Sequence, residues 1–385
     1  MHVTVVPNPV AADAPFAVRI SGLAPNQLVT VTARVIDDAN LTWTAKALFE
    51  AVIDGTVDLA TQAPRTGTYT VLDPMGLVWS LMPTGVPTNT WNYASVLQLP
   101  PLKITAEGGG NISASIDVVR QLATPAITSV DVVEDGIRGR FFRPSNDEPC
   151  PAVLVLGGSE GGLSPYILRE GALLATHGFA ALALAYFSYD SLPPLLERIP
   201  LEYFGDAMSW LLARPGIHGD RLGVIGHSRG AELALLLGTY YSQITAVVSY
   251  AGGGLVYPSP SDHTIPAWTW HGAPVPDFLD KSNWNDSEIP VERINGPILL
   301  FSGDADIVWP STLLSELALD RLIARRHPFA DEHYSYSGAG HDILAPYIPT
   351  GIGRNLFGGD AASTAAADAD SWPRVLKLLN QHLRR

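Results

Sequence analysis

Apolar residues recur at every second position through the first third of the chain. Phe16, Val18 and Ile20 alternate with polar or small residues, as do Val29, Val31, Ala33 and Val35, and then Ala45, Ala47 and Phe49. A period of two marks strands with one buried face. Turn clusters lie between them: Gly22-Leu23-Ala24-Pro25-Asn26, Asp37-Asp38-Ala39-Asn40 and Pro64-Arg65-Thr66-Gly67. Many short strands divided by turn signals predict an all-β, immunoglobulin-like sandwich over residues 1–122.

Near residue 126 the rhythm changes. Pro151–Leu156, Ala180–Ala185, Leu222–Ile225 and Pro297–Phe301 are almost continuously apolar. Such runs belong to strands buried on both faces of a parallel sheet. Helical periodicity separates them over 164–176, Leu201–Ala213 and Ala231–Tyr241, and a closing helix is expected with Pro373 near its first turn. Strand alternating with helix predicts a doubly wound, mostly parallel α/β domain over 126–385. The stretch 255–293 breaks this rhythm. It is rich in Pro, Asp and Trp, and reads as a lid or pocket insertion, with Trp268, Trp270 and Trp284 as candidate pocket residues.

Composition narrows the function. With 46% apolar and 16% charged residues in 385, the chain can bury a large core. A formal net charge of −14 argues against nucleic acid and against an anionic membrane surface. No apolar run approaches the ~18 residues of a membrane span. The N-terminal residues do not read as a secretory signal, and the single cysteine, Cys150, precludes an internal disulfide. These features predict a cytoplasmic protein acting on a small molecule. Neither an H-E-x-x-H pattern nor a cysteine pair suggests a metal, and no cofactor is expected.

The chemistry concentrates at Gly226-His227-Ser228-Arg229-Gly230, which follows the strand Leu222–Ile225 and precedes a helix. This is G-x-S-x-G in the strand–turn–helix context of an α/β-hydrolase nucleophile elbow. A serine hydroxyl needs a base, and the base an orienting acid, in the chain order Ser, acid, His. His341, in Ser337-Gly-Ala-Gly-His341, lies on a glycine-rich loop after a strand and is the expected base. Asp306 is preferred as the acid, because Gly303, Asp306 and Pro310 fit the G-x-x-D-x-x-x-P turn. Asp304 then reads as a turn residue and Asp342 as a loop carboxylate. The oxyanion donors are expected from Arg229 and from Ser159 and Glu160 in the Gly157–Gly162 loop. His227, diverging from Ser228, reads as a packing residue. Arg138, Arg140 and Arg143 read as solvated charges.

These features resemble the acyl-CoA thioesterases related to bile acid-CoA:amino acid N-acyltransferase. The resemblance rests on Gly22-Leu-Ala-Pro25, Leu72-Asp-Pro-Met-Gly-Leu-Val-Trp79, Gly178–Tyr186, Leu201-Glu-Tyr-Phe204, Ile289-Pro-Val-Glu-Arg293, the elbow, Asp306–Trp309 and Gly340-His341. It implies a β-sandwich joined to an α/β-hydrolase and a Ser/Cys–His–Asp triad acting on acyl thioesters. Serine at the nucleophile, here Ser228, implies hydrolysis rather than transfer. The alternatives are an acyltransferase, a cyclase or an ester hydrolase working on a specialised metabolite or an acyl-carrier-protein thioester, and, from another class, a non-catalytic binding protein on the same scaffold.

Overall fold

The computed structural model describes residues 1–85, 99–110, 112–122, 127–146, 148–277, 287–352 and 354–384. They form two compact units, Met1–Ala123 with Ala345–Ala369, and Thr124–Leu344 with Asp370–Arg385. The sequence reading assigns 345–369 to the catalytic domain. In the structure the segment belongs to the first unit for reasons of packing: Ala361 and Ala365, one helical turn apart, are buried in its apolar core. The Thr350 N–H also donates to the Trp79 carbonyl at 3.0 Å, and the Arg120 guanidinium donates to the Tyr347 carbonyl.

The first unit is an antiparallel β-sandwich. One sheet orders Ile112–Val118, Leu102–Gly108, Leu28–Ile36, Thr42–Glu50 and Thr66–Gly67, with Met82–Pro83 also paired to Thr42–Glu50. The other orders His2–Val6, Ala17–Ser21 and Val57–Asp58. The alternating residues face inward. Register sets Val31 opposite Ala47, Ala33 opposite Ala45 and Val35 opposite Trp43, and all six are buried with Phe16, Val18 and Ile20. A one-residue slip would turn this whole set to solvent, so burial fixes the pairing. Asp37 closes the hairpin. Its Oδ1 accepts the N–H groups of Ala39 and Leu41 at 2.9 and 2.8 Å, and its Oδ2 accepts Trp43 Nε1 at 2.8 Å.

The second unit is built on one eight-stranded sheet. Its strands are β1 (Ile127–Glu134), β2 (Ile137–Pro144), β3 (Cys150–Leu156), β4 (Ala180–Ala185), β5 (Ile217–His227), β6 (Ile244–Tyr250), β7 (Ile298–Gly303) and β8 (Glu332–Tyr336), in the order β1-β2-β4-β3-β5-β6-β7-β8. β1 and β2 are antiparallel, β2 pairs antiparallel with β4, and β3 to β8 run parallel. Every residue of β3, β4 and β6 is buried, as strands covered on both faces must be. Cys150 is among them, buried and free. Helices α1 (Pro165–Thr176), α2 (Leu201–Leu212), α3 (Arg229–Tyr240) and α4 (Ser311–Ala324) supply the connections. This is the α/β-hydrolase arrangement that the apolar runs predict.

The last helix differs from expectation. α5 spans Ala361–Leu383 and passes through Pro373 instead of starting there. Six alanines between 361 and 369 favour helix before the proline is reached. Pro373 is exposed, so its missing N–H is lost from the solvent side.

Among the described residues, no helix is long and apolar enough to cross a membrane. Asp37→Ala withdraws an acceptor from one buried indole and two turn amides, and should destabilise the first unit by about 2–3 kcal/mol. Urea unfolding measures this, and a loss under about 0.5 kcal/mol would mean that the hairpin closes without the carboxylate.

Candidate active site

Ser228, Asp306 and His341 follow the carboxyl ends of β5, β7 and β8, three strands of one parallel run. That edge is where open α/β sheets carry their ligands. The register beneath it is set by a row of rings. His227 stacks on Tyr250 at 4.8 Å and 3°, Tyr250 on Phe301 at 4.8 Å, and Phe301 on Tyr334 at 5.9 Å. One ring from each of four neighbouring strands therefore locks the floor from which the loops rise.

Ser228 sits on a turn that only close packing can enforce. Its φ is +54° and ψ −119°, a conformation that costs a non-glycine residue about 1–3 kcal/mol. Glycine on either side makes the turn possible. A Cβ on Gly226 would lie 2.0 Å from the Gly230 carbonyl oxygen, and one on Gly230 would lie 2.2 Å from the Gly157 oxygen. The Ser228 N–H is held by the Tyr250 carbonyl at 2.8 Å, and its own carbonyl accepts the Ala231 N–H at 2.9 Å. From Leu222 to Gly238 every residue is buried except Ser228, which is half-buried. The turn therefore presents one side chain out of an otherwise closed stretch.

Asp306 and His341 form a pair. His341 Nδ1 lies 2.8 Å from Asp306 Oδ2, and both side chains are almost wholly buried. The other carboxylate oxygen, Oδ1, accepts the N–H groups of Val308 and Trp309 at 2.8 and 3.3 Å. A carboxylate only accepts, so in this contact His341 Nδ1 is the donor. Asp304 has a different task. Its Oδ1 accepts the Gly338 N–H at 2.6 Å, anchoring the loop that carries His341. β7 and that loop touch, since a Cβ on Gly303 would lie 2.2 Å from the Ala339 oxygen. Trp309 stands edge-on to His341 at 6.2 Å and donates its Nε1–H to the Ala251 carbonyl at 2.7 Å.

The loop after β3 comes directly to Ser228. A Cβ on Gly158 would lie 3.0 Å from Ser228 Cβ and 2.9 Å from Glu160 Oε2. The Gly158 N–H is engaged by Glu160 Oε1 at 3.1 Å and by the Tyr166 hydroxyl at 3.0 Å, and that hydroxyl donates to Glu160 Oε1 at 2.5 Å. The Glu160 carboxylate thus folds back to shape its own loop, which sequence reasoning missed. Also missed is the buried contact of His227 Nε2 with Glu170 Oε2 at 2.9 Å. Glu170 follows Arg169 on α1, and no local signal in the sequence singles it out.

The proposed pocket tryptophans separate. Trp268 is fully buried in the core, packed on Tyr186 and Phe204, with its Nε1–H on Glu232 Oε1 at 2.8 Å. Trp270 packs against Tyr240 and Tyr241. Trp284 lies outside the described residues. The ends of this stretch zip together, with the Val256 N–H on the Ser287 carbonyl and the Ile289 N–H on the Gly254 carbonyl, both at 2.8 Å. Trp268–Trp270 also pairs with Ile199–Pro200. On β2, Arg138 and Arg140 are paired with Asp190 and Asp131, and Arg143 donates to backbone carbonyls. Among the described residues no cluster of three or more His, Cys, Asp or Glu is arranged to hold a metal ion.

Two family models match this chain: the acyl-CoA thioester hydrolase/BAAT N-terminal region over residues 13–134, and the BAAT/acyl-CoA thioester hydrolase C-terminal region over 199–264 and 275–385. The chain belongs to the acyl-CoA thioester hydrolase/BAAT family. Acyl-coenzyme A amino acid N-acyltransferase 2 of Rattus norvegicus is 34% identical over 100% of this chain and 98% of its own. Acyl-coenzyme A thioesterase 5 of Mus musculus is 31% identical over 96% of this chain and 94% of its own. A puromycin-hydrolyzing peptidase of Mycobacterium tuberculosis superposes with a TM-score of 0.50 at 15% identity, covering 99% of this chain and 68% of that one, a likeness of fold alone. This member of the acyl-CoA thioester hydrolase/BAAT family is an enzyme, related to thioesterases and acyltransferases alike.

One neighbour of the pair is electrostatically loaded. Burial pushes the Asp342 carboxyl from 3.8 up to about 6; His341 and His227 pull it back, while Glu160 and Asp306 push it further. Between those values the folded chain keeps a proton that the unfolded chain has lost. The stability from this group is therefore full below 3.8 and lost as pH rises through about 6. Asp342→Asn, which cannot ionise, should be more stable than wild type at pH 8 by about 3 kcal/mol, with the margin vanishing toward pH 4. Melting curves across this range check it, and a margin independent of pH would contradict it.

Proposed function

We propose that this enzyme hydrolyses acyl thioesters, most directly acyl-CoA, through an acyl-enzyme on Ser228. The observation that carries the reading is the buried His341–Asp306 contact at 2.8 Å, on loops at the same sheet edge as a half-buried serine in a strained elbow. His341 Nε2 takes the Ser228 proton as Oγ bonds to the thioester carbonyl carbon, whose oxygen becomes the oxyanion. Backbone N–H groups of Arg229 and of Ser159 and Glu160 receive that charge at the start of α3, and the engagement of the Gly158 N–H within its own loop favours these two over it. As the tetrahedral centre collapses, the C–S bond breaks and the His341 proton passes to sulfur, releasing the thiol. Water then gives a proton to His341 and its oxygen to the acyl carbon. The C–O bond to Ser228 breaks, the serine regains a proton, and the carboxylic acid leaves. Asp306 holds the imidazole and stabilises its charge throughout.

The full-length similarity to an N-acyltransferase supports a second reading, in which an amine or alcohol, or a group of the acyl chain itself, replaces water at the same acyl-enzyme. A donor on an acyl-carrier protein would use the same steps. The reading goes with a cytoplasmic location, to which one buried free cysteine is suited.

Thiol release from a panel of acyl-CoAs, with and without added amino acids, tests both. Ser228→Ala and His341→Ala should each reduce kcat by at least about 10³-fold. Release that ignores the amino acids is the expected result, and N-acyl products forming at the expense of free acid would favour transfer. Ser228→Ala retaining its rate would overturn the nucleophile assignment.

A further inference from the structure

Two charged side chains lie one turn apart at the start of α3, directly after the nucleophile. Arg229 is 5% exposed and Glu232 is fully buried. Arg229 Nε approaches Glu232 Oε2 at 3.1 Å as an ion contact. Nη2 reaches Glu232 Oε1 at 3.5 Å and donates to the Tyr257 carbonyl at 2.7 Å, and Nη1 donates to the Pro258 carbonyl at 3.0 Å. Glu232 Oε1 accepts the Tyr257 N–H at 3.1 Å and Trp268 Nε1 at 2.8 Å. The guanidinium also lies 5.9 Å from the Tyr257 ring and 6.0 Å from the Trp268 ring.

Stability alone does not account for this pair, because buried ion pairs are commonly replaceable by apolar residues without loss. What the pair does is grip Tyr257 by its N–H and by its carbonyl, through the two peptide units that flank its side chain. Tyr257 is half-buried, and its ring packs 5.3 Å from Trp309, the residue edge-on to His341. One knot therefore links the residue after the nucleophile to an aromatic pair beside the base.

Given the thioesterase reading above, on which this rests, we propose that Arg229 and Glu232 are positioning residues that hold the Tyr257–Trp309 pair as a wall contacting the thioester substrate. Their influence runs through Tyr257 and falls mainly on substrate binding. Arginine suits the task because its planar fork serves two carbonyls and a carboxylate together, which a lysine ammonium on a flexible stem does not.

A double-mutant cycle on acyl-CoA hydrolysis tests this. Arg229→Lys keeps the charge that neutralises Glu232 and should raise KM about tenfold, more than it lowers kcat. Tyr257→Ala should raise KM by a similar factor, and the double variant should show little further increase, since both changes remove one effect. Labelling of Ser228 by a fluorophosphonate and the melting temperature report that Arg229→Lys is folded with its nucleophile in place. Wild-type KM in Arg229→Lys, or fully additive effects in the double variant, would overturn the proposal. So would a loss in Arg229→Lys confined to kcat and labelling, which would assign its side chain to the elbow instead. If acyl-CoA hydrolysis proves independent of Ser228, the underlying reading fails. Ser228-dependent hydrolysis with an unresponsive Arg229 sinks only this inference.

Discussion

The contact on which the second unit turns is backbone against backbone. At Gly226 and Gly230 the strand before Ser228, the helix after it and the end of β3 approach so closely that no side chain fits between them. This packing compels the left-handed backbone at Ser228. A strained turn survives only where neighbours over-determine it, and here every flanking residue from Leu222 to Gly238 is buried. The same crowding brings the Gly158 loop against the serine. The elbow and the loop that faces it are thus two results of one steric condition.

Charge is arranged around this point with some economy. Glu160, Glu170, Asp306 and Asp342 gather near His227, His341 and Arg229, in a chain whose overall balance is strongly acidic. Most of these carboxylates have a fixed employment: Asp306 on His341, Glu170 on His227, Glu160 on its own loop. Asp342 bears the cost, lying where burial and neighbouring acids resist its ionisation. An aromatic row underneath, from His227 to Tyr334, gives the loops a rigid base.

The architecture was legible because it rests on local rules. Alternation at Val29–Val35 and continuous apolarity at Ala180–Ala185 follow from which faces are buried, and each is written in consecutive residues. The G-x-S-x-G pentapeptide, the Gly303–Pro310 spacing and the loop before His341 are likewise short-range signals, and each led to a residue at the same sheet edge. What escaped depends on residues distant in sequence. No local feature tells that Glu232 will meet Trp268, that Glu170 will meet His227, or that Asp304 will secure the loop at Gly338. Trp268 reads as a pocket residue because its surroundings are irregular, yet irregular backbone can still be core. Pro373 reads as near a helix's first turn because proline favours that position, while the alanines before it already begin the helix.

The segment 345–369 has a consequence for how the protein comes to exist. Its alanines complete the core of a sandwich whose other parts precede residue 124. During synthesis the amino-terminal unit must therefore wait, partly assembled, while more than half of the chain is made, a delay on the order of ten to forty seconds at ordinary translation rates. The two units are consequently interlaced in time: the sandwich, though first to emerge, is among the last parts to be finished. A gene fragment ending at the apparent domain boundary would encode a sandwich with an open seam.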